Sequence, residues 1–438
     1  MTLLGLLAIS VSGSISVAAD AAGDGVEWKE TLYNPQPADD DLLLPMPCGG
    51  AMAFRSMGTE GDGGALSGEN PLRDKAVELG SDVEDIGYAE YRRVAHVAGS
   101  FDADGLETDA NPNERRLLIG KYEVTSLQYQ AMMAAADDAP CPKVTGAGRL
   151  PQTNVSWHDA MGFAHRWSLW LRERAQSLPD CAGASPVCLP RTDGEPAFVR
   201  LPTEVEWEYA ARGGDRVTPA DFRELHYPMV DGMERHVWFN ESAEGRVRPI
   251  GVLAANPVGL HDILGNVEEI TLEPFRLQRL DRAHGQPGGY VVRGGSVHSS
   301  RGEVRASLRR EVPLYDDRGA VATADTGFRV LLSAPVLTSA QRLEAVRAAW
   351  SRLGTDTVRA DGVSAPPATP LSEPVSEPVS EPVSEAEPES PTATRPPQPE
   401  LSDQAFEDPV MELSHLARAA PEQAMQQRLE RLRGVVAA

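Results

Sequence analysis

The chain is 438 residues long and carries 41 Lys and Arg against 65 Asp and Glu, a formal net charge of −24 at pH 7. That length is enough to bury a sizeable core in one large domain or two ordinary ones. So acidic a chain offers little of the basic surface that supplies most nucleic-acid affinity, which sets nucleic-acid binding aside.

Residues 1–19 are small and apolar, and Val17-Ala18-Ala19 is a fair cleavage site before Asp20. They are expected to be a signal peptide, although no Lys or Arg precedes the apolar run. The run is too short, and too rich in Gly and Ser, for a membrane-spanning helix. A periplasmic or secreted destination follows, with no transmembrane span after signal removal. Residues 20–44 are polar and predict an extended lead-in to a domain over 45–335. Within it, 44–55 predicts an entry strand, 56–90 a Gly- and acid-rich surface loop, and 91–101 and 117–124 two further strands.

Three helices announce themselves by their caps. Thr125 opens one carrying Leu127, Tyr129, Met132 and Met133. Ser156, with Asp159 in the first turn, opens a second, in which Ala160, Phe163, Ala164, Trp167 and Leu171 recur at helical spacing. Thr203 opens a third; Glu204 and Glu206 favour the positive end of its dipole, and Gly213 stops it. From 215 to about 330, Gly, Pro and short apolar runs replace helical periodicity. A helix is expected over 336–354, capped by Thr338 or Ser339. Residues 355–400 repeat Ser-Glu-Pro-Val and cannot bury enough apolar surface to fold, so they predict a disordered Pro/Glu/Ser linker. Residues 401–438 predict a C-terminal helical segment, either a docking element or a frayed tail.

Four cysteines, Cys48, Cys141, Cys181 and Cys188, suit an oxidising compartment. They allow three pairings. Cys181 and Cys188 flank a short flexible loop that a disulfide would close, which leaves Cys48 to Cys141; four free thiols is the other reading. None has zinc-like spacing.

The order of three motifs is the most informative feature. Gly259-Leu260-His261-Asp262-Ile263-Leu264-Gly265-Asn266-Val267-Glu268-Glu269 is followed by Arg293-Gly294-Gly295-Ser296-Val297-His298-Ser299-Ser300-Arg301, then by Asp325-Thr326-Gly327-Phe328-Arg329-Val330. With the two phrases that open the second and third helices, this resembles the formylglycine-generating-enzyme family, the sulfatase-modifying-factor domain. The resemblance covers roughly 45–333. It implies an irregular, loop-rich α+β domain related to the C-type-lectin fold.

In the active enzymes of that family two cysteines after the Gly-Gly-Ser hold copper(I). Those places fall here on Ser299 and Val304. Copper(I) is soft and selects thiolate or thioether ligands; a serine hydroxyl is a hard donor and valine offers none. The resemblance therefore implies a retained scaffold without the copper pair or formylglycine-generating oxidase activity. The expected function is a non-catalytic accessory or regulatory protein that binds a protein or peptide partner in the inherited groove. Such proteins resemble periplasmic regulators beside type VI secretion. Two alternatives stay open: an oxidoreductase or modifying enzyme of the same family using Tyr290, His298 and His284, and a calcium-dependent lectin-like binding module.

The resemblance also implies a calcium site: the side chains of Asp262 and Glu269 and the backbone carbonyls of Gly265 and Val267. Two carboxylates seven residues apart around a tight Gly-Asn bend give hard oxygen donors, as calcium requires. The plainer alternative is that Asp262 caps a turn and Glu269 bonds a neighbour. Asn240 is the one candidate for a second calcium site, and Glu268 stands where the family usually has Trp. Around the groove, Ser296, His298, Ser299, Arg301, Arg305 and Arg309 are the candidate partner contacts. If 301–309 is a strand, the three arginines share a face and suit a carboxylate or phosphate. Alternatively they neutralise internal acids such as Glu303, Glu311 and Asp325. Arg329 is expected to be structural.

Overall fold

The computed structural model describes residues 28–59, 74–81, 90–103, 106, 115–181, 187–276, 289–348 and 351. The expected signal peptide, the Pro/Glu/Ser linker, the C-terminal segment and His284 lie outside them. The chain divides into two units, Met1–Ala365 and Pro366–Ala438, and every described residue belongs to the first.

The lead-in is not extended throughout. Glu30–Leu32 is a 3-10 turn, and Trp28, Leu32 and Tyr33 are buried in a small cluster with Leu127 and Ala131. The single entry strand expected over 44–55 is two, β1 (Leu42–Met46) and β2 (Gly50–Gly58), paired antiparallel with Leu44 opposite Met52. The break falls at Pro47-Cys48-Gly49. Proline there has no N–H to give a ladder, and Cys48 and Gly49 take φ of 61° and 72°, a reversal no strand accommodates. The surface loop expected over 56–90 contains a strand, β3 (Lys75–Leu79), which pairs with β4 (Arg93–Val97). Its Val77 and Leu79 alternate inward. The next strands are β5 (Phe101–Asp102) and β6 (Arg115–Gly120).

The helices are α1 (Ser126–Ala136), α2 (Trp157–Arg174) and, after the short strands β7 (Arg191–Thr192), β8 (Glu195–Pro196) and β9 (Phe198–Arg200), α3 (Glu204–Ala211). Each opens on the expected cap. Thr125, Ser156 and Thr203 accept the N–H of the third helical residue, and Gln128, Asp159 and Glu206 accept the cap's own N–H in return. Gly213, at φ 101°, ends α3. The stripe of α2 is buried as its spacing requires. Phe163 and Trp167 pack with Phe328 and Phe54, ring centroids 5.4 and 6.1 Å apart, and the Trp167 indole N–H donates to the Pro45 carbonyl at 3.2 Å. Burial of each such ring contributes about 2 kcal/mol or more.

Two short helices, α4 (Pro219–Arg223) and α5 (Asn240–Ala243), precede the strands β10 (Glu268–Pro274), β11 (Gly289–Arg293), β12 (Arg309–Pro313), β13 (Tyr315–Asp316), β14 (Gly319–Ala320), β15 (Thr326–Phe328) and β16 (Leu331–Ser333). One sheet runs β1-β2-β6-β16-β9, with β5 on β6; a second runs β12-β11-β10-β15. The result is a mixed α+β domain with few helices. In the second sheet Glu269 lies opposite Arg293, and Arg293 opposite Arg309, so the register itself gathers the charged residues of the candidate site. A helical stretch over 340–348 starts after Ser339, whose hydroxyl accepts the Arg342 N–H at 3.1 Å; its Leu343 and Val346 are only half-buried.

Both disulfides join the favoured partners, Cys48 to Cys141 and Cys181 to Cys188. Among the described residues no helix is long and apolar enough to cross a membrane.

Candidate functional site

The loop that follows β11 carries Ser299 and Val304, the two positions singled out in the sequence. Gly294 and Gly295 both take left-handed φ, 86° and 74°, which side chains resist. A Cβ on Gly294 would come within 3.0 Å of the Ile263 carbonyl and 3.1 Å of the Trp207 ring. A Cβ on Gly295 would meet the Ser299 hydroxyl at 3.0 Å and the Val304 side chain at 3.5 Å. The two positions named from sequence are therefore neighbours around one glycine.

The Ser299 hydroxyl accepts the Ser296 N–H at 3.0 Å, and among the described residues no basic side chain is hydrogen-bonded to it. Val304 is fully buried in the apolar cluster formed with Trp207, Tyr209 and Ile263. Its carbonyl pairs with His226 Nε2 at 2.7 Å, and burial holds the His226 ring below the usual histidine range. Ser296 donates its hydroxyl to Asp325 at 2.8 Å and accepts the His298 N–H at 3.2 Å, so it braces the turn. His298 is exposed, with its ring beside Gly245. Tyr290 is buried on β11 and senses Arg310 and Glu268 instead, so it and His298 have different surroundings.

The expected strand over 301–309 begins only at Arg309; residues 301–303 and 305–307 are turns and bends. Arg301, Arg305 and Arg309 accordingly do not form an alternating row. Arg301 is exposed, pairs with Glu234 and Glu241, and lies 5.0 Å over the Phe239 ring. Arg305 holds Glu90 at 2.5 and 2.9 Å. Arg309 is buried and forms a two-pronged pair with Glu204 at 2.6 and 2.7 Å. The acids these three arginines are seen to hold are Glu234, Glu241, Glu90 and Glu204. Glu303 instead accepts the Ser300 N–H at 2.8 Å, and Asp325 takes Ser296. Glu204 is shared with Arg293, whose second branch reaches Glu208 at 2.6 Å. Burial pushes the Glu208 carboxyl up, but Arg293 and Arg212 outweigh it and hold it below the ordinary range. Glu268, at the family's usual Trp position, pairs with Arg310.

The proposed calcium ligands sit on a backbone that turns left-handed three times, at Asp262, Gly265 and Asn266, with φ of 56°, 77° and 56°. Gly265 is required, since a Cβ there would lie 2.2 Å from the Trp238 carbonyl. Asp262 is buried; its Oδ2 accepts the Gly251 N–H at 2.7 Å, while Oδ1 has no hydrogen-bond partner. Glu269 accepts from Arg329 at 2.7 Å and from the Trp207 indole at 2.7 Å, and Arg329 also holds the Gly120 and His261 carbonyls. A third acid, Glu123, was not foreseen; it accepts from Asn266 at 2.8 Å and from the Val267 N–H at 3.3 Å. A glutamate on the chain between β6 and α1, beside buried Tyr122 and Val124, was its only sequence signal. Burial raises Asp262 to about 6, and burial with the Asp262 and Glu269 charges lifts Glu123 well above its usual value. Three buried carboxylates thus lie together, and the opposing positive charge comes from Arg329, with Arg149 also acting on Asp262. Among the described residues no three His, Cys, Asp or Glu side chains converge on a metal position, so backbone carbonyls would have to complete a calcium cage. Asn240 heads α5 and donates its N–H to the Ser299 carbonyl at 3.0 Å.

The model of the sulfatase-modifying factor enzyme 1-like domain matches residues 90–334, more than half of the chain. The chain is similar to the chaperone protein LppX of Paenibacillus barcinonensis, 28% identical over 183 residues, 37% of this chain and 64% of that protein. It is also similar to the formylglycine-generating enzyme of Mycobacterium tuberculosis, 43% identical over 83 residues, 17% of this chain and 27% of the enzyme. The chain thus spans less than two thirds of either relative. Among solved structures, Treponema denticola variable protein 1 aligns with a TM-score of 0.44 at 19% identity, over 66% of this chain and 98% of that one.

Proposed function

This chain belongs to the sulfatase-modifying factor enzyme 1-like domain family, and we propose that it is a non-catalytic accessory member that binds a protein or peptide partner. One observation carries the reading: Ser299 and Val304 flank Gly295 where the enzymes place a thiolate pair, and neither side chain is a soft donor or an activated group. The similarity to a protein named as a chaperone adds weight to a binding role. The two disulfides suit an exported, periplasmic protein. Within this reading belong a kinship with the C-type-lectin fold, the 355–400 linker that tethers a C-terminal segment, and a place in type VI secretion signalling. Copper(I) titration and oxygen uptake on a cysteine-containing peptide decide it. The wild-type chain should bind no stoichiometric copper and consume no oxygen, and the double variant Ser299→Cys, Val304→Cys should gain copper(I) binding under reducing conditions. Stoichiometric copper with oxygen uptake in the wild type would sink the proposal.

Calcium completes the reading. Asp262 Oδ1 and the carbonyls of Gly265 and Val267 would hold it, with Glu269 as the fourth donor if it is shared with Arg329. Calcium should raise the melting temperature of the wild type and leave Asp262→Ala unmoved. An equal shift in both would remove Asp262 from the site.

A further inference from the structure

A pocket of about 320 Å³ opens where β4, the start of α3, the end of β10 and β12 meet; Arg93, Glu204, Val205, Glu273, Arg276 and Arg309 line it. That volume is in the range of small-molecule sites. Two of its arginines, Arg93 and Arg276, differ from the others around the second sheet. Arg293, Arg305, Arg309, Arg310 and Arg329 each hold a carboxylate. Arg93 and Arg276 carry no side-chain hydrogen bond or ion pair among the described residues, and Arg93 Nε is buried without an acceptor. A buried donor left unmade costs about 1–3 kcal/mol.

The acids in the pocket make no pair with them: Glu204 is committed elsewhere and Glu273 in part. Both oxygens of Glu204 face Arg309, and one also faces Arg293. Glu273 turns one oxygen to the Glu204 N–H at the head of α3, at 2.7 Å. Burial, then the charges of Glu204 and Glu206, push Glu273 up to about 7, so near neutral pH it contributes less than a full negative charge. What remains open to a ligand is two guanidinium forks on one wall-lined space.

We propose that this pocket binds a phosphate-class oxyanion through Arg93 and Arg276. A guanidinium fork matches two oxygens of an anion, and a carboxylate is filled by one fork, whereas a phosphate presents three charged oxygens and accepts two. The inference stands apart from the loop around Gly295 and holds whether or not that loop receives a partner.

Isothermal titration of the full chain with inorganic phosphate at low ionic strength tests it. The wild type should show saturable binding at one site. The double variant Arg93→Gln, Arg276→Gln should bind at least tenfold more weakly; Arg93 is half-buried and Arg276 exposed, so its melting temperature serves as the check on folding. Glu273→Gln, titrated at pH 8 where the wild-type carboxyl is charged, should bind phosphate more tightly than the wild type. If the double variant does not fold, this single variant decides, with weaker binding overturning the proposal. No saturable phosphate binding in the wild type, unchanged affinity in a folded double variant, or a preference for succinate over phosphate would each overturn it as well.

Discussion

At Glu273 two influences oppose each other. The head of α3 favours a carboxylate, since the helix dipole and the Glu204 N–H both stabilise negative charge there. Burial and the nearby charges of Glu204 and Glu206 disfavour it, and they win, raising the group from 4.5 to about 7. The folded chain therefore holds a proton between those values that the unfolded chain has lost. The associated stability is fully present below about 4.5 and is lost as pH rises through about 7. Arg93, Arg276 and Arg309 line the same pocket and do not bring the group back to its ordinary value. Urea unfolding of wild type and Glu273→Gln across pH 5 to 8 should show the wild type losing about 2 kcal/mol relative to the variant, a figure below the full shift because the side chain is only part-buried. Parallel profiles would mean that Glu273 does not titrate in this window. Residues such as this mark the limit of sequence reading. The positions of Ser299, Val304, Asp262 and Glu269 could be counted along motifs. The acids that neutralise the arginines could not, because Glu90 and Arg305 are 215 residues apart, and Glu204 and Arg309 are 105 apart.

At the scale of the element, legibility follows how local the determining interaction is. A capping box closes within four residues, so Thr125, Ser156 and Thr203 fixed their helix starts from sequence alone, and both bonds of each box are present. The stripe of α2 is equally local in origin, and all five of its expected core residues are buried. Strands depend on partners elsewhere in the chain. The strand β3 lies in a Gly- and acid-rich region and exists through its pairing with β4. Conversely, arginines that would share one face of a strand over 301–309 lie in a segment that turns until Arg309: Glu303 N–H reaches Ser300 and Leu308 N–H reaches Arg305. Alternation of charge without alternation of apolar residues gives no face to bury, and so no reason for a strand to form. That difference changes the chemistry expected of the loop. An extended row would present several cations to one ligand, whereas the turns send Arg301, Arg305 and Arg309 to three separate sets of acids.

For the whole molecule, the covalent ties follow a similar division between near and far. A net charge of −24 works against compaction of the chain, and the buried pairs around Arg293 and Arg329 confine some of the opposing charges but do little to restrict the unfolded chain. The disulfides do restrict it. Cys48, in the turn between β1 and β2, is joined to Cys141, beyond the end of α1, across a sequence separation of 93; Cys181 and Cys188 are separated by only 7. In the chain-entropy account the longer loop removes more freedom from the unfolded ensemble, about 4–5 kcal/mol against about 2–3 kcal/mol for the shorter. The long bridge also fastens the buried Trp28, Leu32 and Tyr33 cluster, since Leu127 and Ala131 of α1 pack there and Cys48 packs against it. Replacing Cys48 and Cys141 by alanine should therefore lower unfolding stability by more than replacing Cys181 and Cys188, by about 2 kcal/mol, in denaturant titrations run without reductant. Adding reductant to the wild type should cost at least as much as the long-loop variant. The opposite order would show that local packing of Cys181 and Cys188, both buried, outweighs loop closure in holding this domain together.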